Sequence, residues 1–233
     1  MLVTREVVVA GDEMRRGRQS AADSGKVKVT PNTGRIRRER RAAILAAAES
    51  EFSINGYKGT STSMIAKAAG LAKAQLHYYF PNKDDLYYEL LANIADQWSC
   101  PLADVTADDD PAVVLRTYIG RKMRTSWERP ALSKIFAGEV LRGGPMLKSQ
   151  FSEQRKWLDH ISDVIRCWIA LGKMDRVEPD HFVFMIWAVT QHYANCQAQV
   201  LELTGRPYLD EADLSMVTEQ VVRVVFKGCG IRY

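Results

Sequence analysis

Lys73, Gln75, His77, Tyr78 and Tyr79 fall within seven residues between the breaks at Gly70 and Pro81. An amide or an ammonium can address the donors and acceptors on base edges, while phenol, imidazole and ammonium groups can hold phosphate oxygens. Ser61, Thr62 and Ser63 lie just upstream, Lys83 just downstream, and Arg37 and Arg38 stand in the cluster Arg35, Arg37, Arg38, Arg40, Arg41. These eleven side chains, from Arg37 to Lys83, are the candidate nucleic-acid contacts.

Catalytic chemistry has no comparable candidates. Cys100, Cys167, Cys196 and Cys229 are scattered with no C-x-x-C pair, which argues against a disulfide framework or a thiolate zinc site. The histidines at 77, 160, 181 and 192 show no H-E-x-x-H spacing, and neither a phosphate-cradling glycine loop nor a nucleophile elbow occurs. No enzyme activity, cofactor or metal is expected.

The elements around the polar cluster are short helices. In RIRRERRAAILAAAESEFSINGY, Ile44, Leu45, Ala48 and Phe52 recur at helical spacing, and Gly56 supplies the left-handed residue that ends a helix. Ser61 or Thr62 can cap the next helix, which stops at Gly70. Leu71 plugs the small core, and Ala72 to Tyr79 forms a third helix whose Leu76 and Phe80 point inward, leaving the polar cluster on its outer faces. Pro81-Asn82 breaks the chain, and Asp84 and Asp85 open a fourth helix where its dipole favours carboxylates. This order suits a helix-turn-helix, which lays one short helix in the major groove while its neighbours grip phosphates.

Charge agrees with that reading. Residues 1–83 carry 15 Lys+Arg against 7 Asp+Glu, a net of +8, whereas residues 84–233 carry 17 against 21, a net of −4. A basic third on an acidic body suits salt-dependent phosphate binding and argues against a general DNA packager, which would be basic throughout. The arginine cluster reads as a minor-groove or phosphate-binding arm, with a solvated helix start as the other reading.

The remaining chain is organised as one larger helical unit. Residues 1–34 lack apolar periodicity and read as a solvated arm; Val7 to Ala10 is too short and too closely flanked by charge for a signal peptide. Residues 35–83 form the three-helix head, and 84–233 can bury a core of their own. Helical periodicity runs through Pro111–Glu128, Ala131–Leu141, about Met146–Leu171, Asp180–Leu203 and Asp213–Lys227. The expected fold class is therefore all-α. Without any long uninterrupted apolar span, a soluble cytoplasmic protein with no membrane partner is expected.

The run Gly59 to Gly70, the block LHYYF at Leu76 to Phe80 and the following PNKDDL together resemble the DNA-binding domain of the TetR family of bacterial regulators. Two residues depart from that pattern: Ala72 stands where a capping Ser is usual, and His77 where a phosphate-binding Tyr is frequent. The resemblance implies a homodimer built through the last two helices, an effector pocket in the body, and an inverted-repeat operator in double-stranded DNA, most often for repression.

A narrower resemblance runs through His181 to Gly205, Trp98 to Leu102 and Glu139 to Leu141, and points to the family's pyrimidine-utilisation branch, which senses uracil or thymine. It implies ligand contacts at Trp98, Glu139, Trp187, Gln191 and Asn195. A flat ring with an N–H between two carbonyls wants an aromatic face and an amide that both donates and accepts. Trp187 and Gln191, one helical turn apart, supply one of each. Without that resemblance the favoured reading makes Trp187 and Tyr193 core or dimer aromatics and Gln191 a satisfied interior amide.

Overall fold

The computed structural model describes residues 31–99 and 102–232. The expectations placed on residues 1–30, on Cys100 and on Pro101 lie outside the described residues. Among the described residues ten α-helices follow in order: α1 (Pro31–Gly59), α2 (Thr62–Ala68), α3 (Lys73–Tyr79), α4 (Lys83–Ser99), α5 (Pro111–Glu128), α6 (Pro130–Leu141), α7 (Lys148–Ala170), α8 (Pro179–Asn195), α9 (Gln197–Thr204) and α10 (Glu211–Gly228). A 3₁₀ turn at Pro145–Leu147 precedes α7, and no strand occurs among the described residues.

Local signals explain most of these boundaries. Gly56, at φ 66 and ψ 174, breaks α1 as its left-handed conformation requires. Ser61 begins α2, its Oγ accepting from the Met64 N–H at 3.2 Å. Asp110 accepts from the Ala112 N–H at 2.8 Å, with Pro111 in the first turn of α5, where a missing N–H costs nothing. Asp210 and Asp213 exchange backbone-to-carboxylate bonds of 2.9 and 3.1 Å at the start of α10, and Arg206 pairs with Asp213.

Two apolar clusters hold the molecule. One contains Ile44, Ala48 and Phe52 of α1, Ile65 of α2, Leu76 and Phe80, and continues into Leu86, Leu90 and Ile94 of α4 and Leu132, Ile135 and Phe136 of α6. Full burial of Ile44 and Phe52 contributes roughly 1.5–3 kcal/mol each. The other joins α5, α7, α8 and α10 through Ile119, Ile165, Trp168, Ile186, Val222 and Phe226. The small head thus shares its core with α4 and α6, which adds to the buried fraction a three-helix unit of this size can reach alone.

The arginine cluster, read as a groove- or phosphate-binding arm or as a solvated helix start, lies within α1, which runs through Arg35 to Arg41. One expectation needs correction. The segment Asp180–Leu203 is two helices; α8 stops at Asn195, Cys196 turns at φ −110 and ψ 27, and Val200 therefore belongs to α9. Apolar spacing survives this turn because Cys196 carries neither Gly nor Pro to mark it.

Candidate functional site

The polar cluster of the head presents a surface. Lys73, Gln75 and Tyr78 are exposed on α3, Tyr78 at 71%, while His77 and Tyr79 are half-buried beside them. Ser61 and Ser63 are exposed on α2 and Thr62 is half-buried. Arg37 and Arg38 are exposed on α1 with no ion pair among the described residues, whereas Arg41 pairs with Glu89 and lies 4.8 Å from the Phe80 ring centroid. The arrangement offers free cations on α1 and donors and acceptors on α3, the complement of a phosphate-flanked groove.

Three of these residues also have local work. Ala72 offers no acceptor at the start of α3, and Gln75 compensates by turning its Oε1 back to the Ala72 N–H at 3.0 Å. His77 Nδ1 donates to the Pro81 carbonyl at 3.0 Å, which leaves Nε2 as the outward nitrogen. Lys83 Nζ donates to the Tyr57 and Thr60 carbonyls at 2.8 and 3.0 Å and sits 4.2 Å from the Tyr57 ring centroid. The ammonium expected to hold a phosphate thus clamps the turn between α1 and α2.

A cavity of about 600 Å³ opens in the body, walled by α4, α5, α6, α7 and α8. Trp98, Trp187, Gln191 and Asn195 all line it. Trp187 Nε1 donates to the Tyr118 hydroxyl at 2.7 Å, and its ring stacks on Trp157 with centroids 5.9 Å apart and an interplanar angle of 28°. Burial raises the Tyr118 phenol above its ordinary value, so that oxygen stays protonated. Gln191 is half-buried with no hydrogen-bond partner among the described residues, and Asn195 Oδ1 accepts from Ser133 Oγ at 2.8 Å, leaving its amide nitrogen free. Trp98 Nε1 is buried without a partner among the described residues, a donor awaiting an acceptor.

Glu139 does not belong to the wall. Its neighbours Gly138 and Val140 line the cavity, but the carboxylate, 2% exposed, faces α4 and the turn before α7. There it accepts from the Tyr87 hydroxyl at 3.2 Å, the Arg142 guanidinium at 2.6 Å and the Met146 N–H at 2.9 Å. Burial is the main reason the Tyr87 phenol is pushed up to about 12. The ligand role expected of Glu139 is corrected to a structural one, because 100° per residue turns consecutive side chains of α6 to different sides.

Lys122 of α5 is a buried charged wall residue that sequence reasoning missed. It is 3% exposed, its Nζ lies 3.9 Å from the Trp98 ring centroid and 5.7 Å from that of Trp187, and it lines the cavity. The signal was present: Lys122 stands on the stripe Leu115, Tyr118, Ile119, Ser126, where a helical lysine interrupts a buried face.

Similarity to known proteins decides the family. The description "Bacterial regulatory proteins, tetR family" matches residues 44–90, and "YcdC-like protein, C-terminal region" matches residues 91–232. The chain belongs to the TetR family. This TetR-family protein is 38% identical over 205 residues to the HTH-type transcriptional regulator RutR of Escherichia coli (strain K12), covering 88% of this chain and 97% of that one. It is 28% identical over 171 residues to the regulator EthR of Mycobacterium tuberculosis (strain ATCC 25618 / H37Rv), covering 71% and 73%. In fold it matches the ketosteroid transcriptional regulator KstR2 of Mycobacterium tuberculosis with a TM-score of 0.65 at 19% identity, covering 82% of this chain and 94% of that one. The protein is a ligand-responsive transcriptional regulator, and the relatives it matches are transcriptional regulators as well. Regulators of this family bind operator DNA and small-molecule effectors and act as dimers.

Proposed function

We propose that this protein is a homodimeric repressor that binds an inverted-repeat operator and releases it when a pyrimidine, such as uracil or thymine, enters the body cavity. The observation that carries the effector is the cavity wall itself: the Trp187 ring and the unpartnered Gln191 amide stand one turn apart on α8 and both face the same space. A flat ring stacked on the indole can exchange donor and acceptor with that amide. The likeness to RutR supports the same class of effector.

Residues 35–83 serve as the DNA reader and 84–233 as the sensing and dimerising part. Met185, Val189 and Val224 leave apolar surface exposed on α8 and α10, which suits a two-fold interface. Ala95, Trp98 and Phe136 both line the cavity and belong to the head's core, so a ligand that prefers one packing of α4 and α6 biases the spacing of the two heads.

Trp187→Ala and Gln191→Ala test the reading. Effector is titrated by calorimetry and operator by fluorescence anisotropy; loss of about 1–3 kcal/mol of effector affinity in each variant, with operator affinity kept, is the expected pattern. Parental effector binding in both variants places the site elsewhere. A second reading follows from size, since about 600 Å³ also accommodates a drug-sized ligand. A nucleoside or other extended ring compound raising the melting temperature more than uracil or thymine supports that alternative.

A further inference from the structure

Among the described residues, Lys122 and Lys134 line the cavity and no Asp or Glu does. Lys134 is exposed, with Nζ 3.5 Å from Gln197 Oε1, so water screens it. Lys122 differs. It is 3% exposed, and it has no hydrogen-bond or ion-pair partner among the described residues. The carboxylate of Glu139 on α6 does not line the cavity and is already shared by Tyr87, Arg142 and the Met146 N–H. The indole faces of Trp98 and Trp187 answer the charge partly, yet a ring face supplies no lone pair for three ammonium donors.

Resting on the reading of this cavity as the effector site, we propose that the effector is bound as an anion: a flat ring carrying negative charge, on the ring or on an attached carboxylate, set against Lys122. A buried cation with no counter-charge is stable only at a cost, and the group that relieves it contributes both charge and acceptor lone pairs. Burial pushes the Lys122 ammonium well below the ordinary lysine value, so the cavity by itself disfavours the charged form and an arriving anion restores it. A neutral pyrimidine offers carbonyl oxygens and satisfies the donors alone. A charged ring satisfies both.

The test is calorimetry and thermal shift on the full chain with five probes at pH 7: uracil, barbiturate, whose ring is ionised, orotate, which adds a carboxylate to the uracil frame, and the pair benzoate and benzamide. The parent is expected to bind barbiturate or orotate at least ~30-fold more tightly than uracil, the difference made by a desolvated charge pair. Lys122→Met and Lys122→Gln, each checked for cooperative melting, are expected to reduce that ratio to about one. Which anion wins locates the charge. Uracil binding as tightly as both anions, with the ratio unmoved by either substitution, overturns the inference, as does the failure of all five probes to bind. If only benzoate binds, better than benzamide and only with Lys122 present, the pyrimidine reading fails and the anion inference stands.

Discussion

Glu139→Ala separates a structural carboxylate from a ligand contact. The parent side chain is 2% exposed and accepts three hydrogen bonds, from Tyr87, Arg142 and the Met146 N–H. Arg142 is half-exposed and can turn to water once its partner is gone, so the guanidinium adds little to the cost. The Tyr87 hydroxyl is buried and the Met146 N–H half-buried, and a donor left without an acceptor costs about 1–3 kcal/mol. The variant is therefore expected to lose about 2–4 kcal/mol. For a chain of this size that lowers the melting temperature by roughly 5–15 °C, measured at matched protein concentration because regulators of this family act as dimers. Glu139→Gln, which keeps an acceptor and loses the charge, should lose about half as much. Effector affinity, titrated well below the transition, should stay within about twofold of the parent, since each tenfold step needs ~1.4 kcal/mol. A melting temperature within 2 °C of the parent together with tenfold weaker effector binding would refute this reasoning and return Glu139 to the ligand.

Two further substitutions address the head. Gln75→Ala should both loosen the start of α3, by about 1 kcal/mol, and relax base preference in binding-site selection; adding Ala72→Ser restores a side-chain cap and should recover stability but not preference. Recovery of both would mean that Gln75 acts only as a cap. Lys83→Met removes two charge-assisted bonds to the α1–α2 turn and should lower stability by roughly 1.5–3 kcal/mol while weakening all operators alike. Its salt slope is expected to stay unchanged; an unchanged melting temperature with a slope shallower by about one would show a phosphate contact instead.

Much of this molecule was legible without coordinates because its signals are local. Ser61, Gly56, Pro111 and the Asp84-Asp85 pair act on their own turns, so the all-helical order and most helix boundaries follow from neighbours in the chain. The outer faces of α3 were equally readable, since Leu76 and Phe80 can point only one way once the helix exists. Trp187, Gln191 and Asn195 fell together on the cavity because they share one helix and one face. The sharp turn at Cys196 was not legible, as its residues carry no breaker.

Other assignments needed the packed structure. Glu139 and Val140 are adjacent in sequence, yet one turns to Tyr87 and the other lines the cavity, and only the placement of α4 and α7 around α6 decides which side is which. Gln75 and Lys83 read as free contacts until the Ala72 N–H and the Tyr57 and Thr60 carbonyls came within reach. Lys122 became part of the site through Trp98 and Trp187, which lie 24 and 65 residues away in the chain. Capping and periodicity act over one or two turns, so a sequence states them directly. The environment of a buried charge is set by groups that meet only when helices distant in the chain pack together, and desolvation there depends on all of them at once.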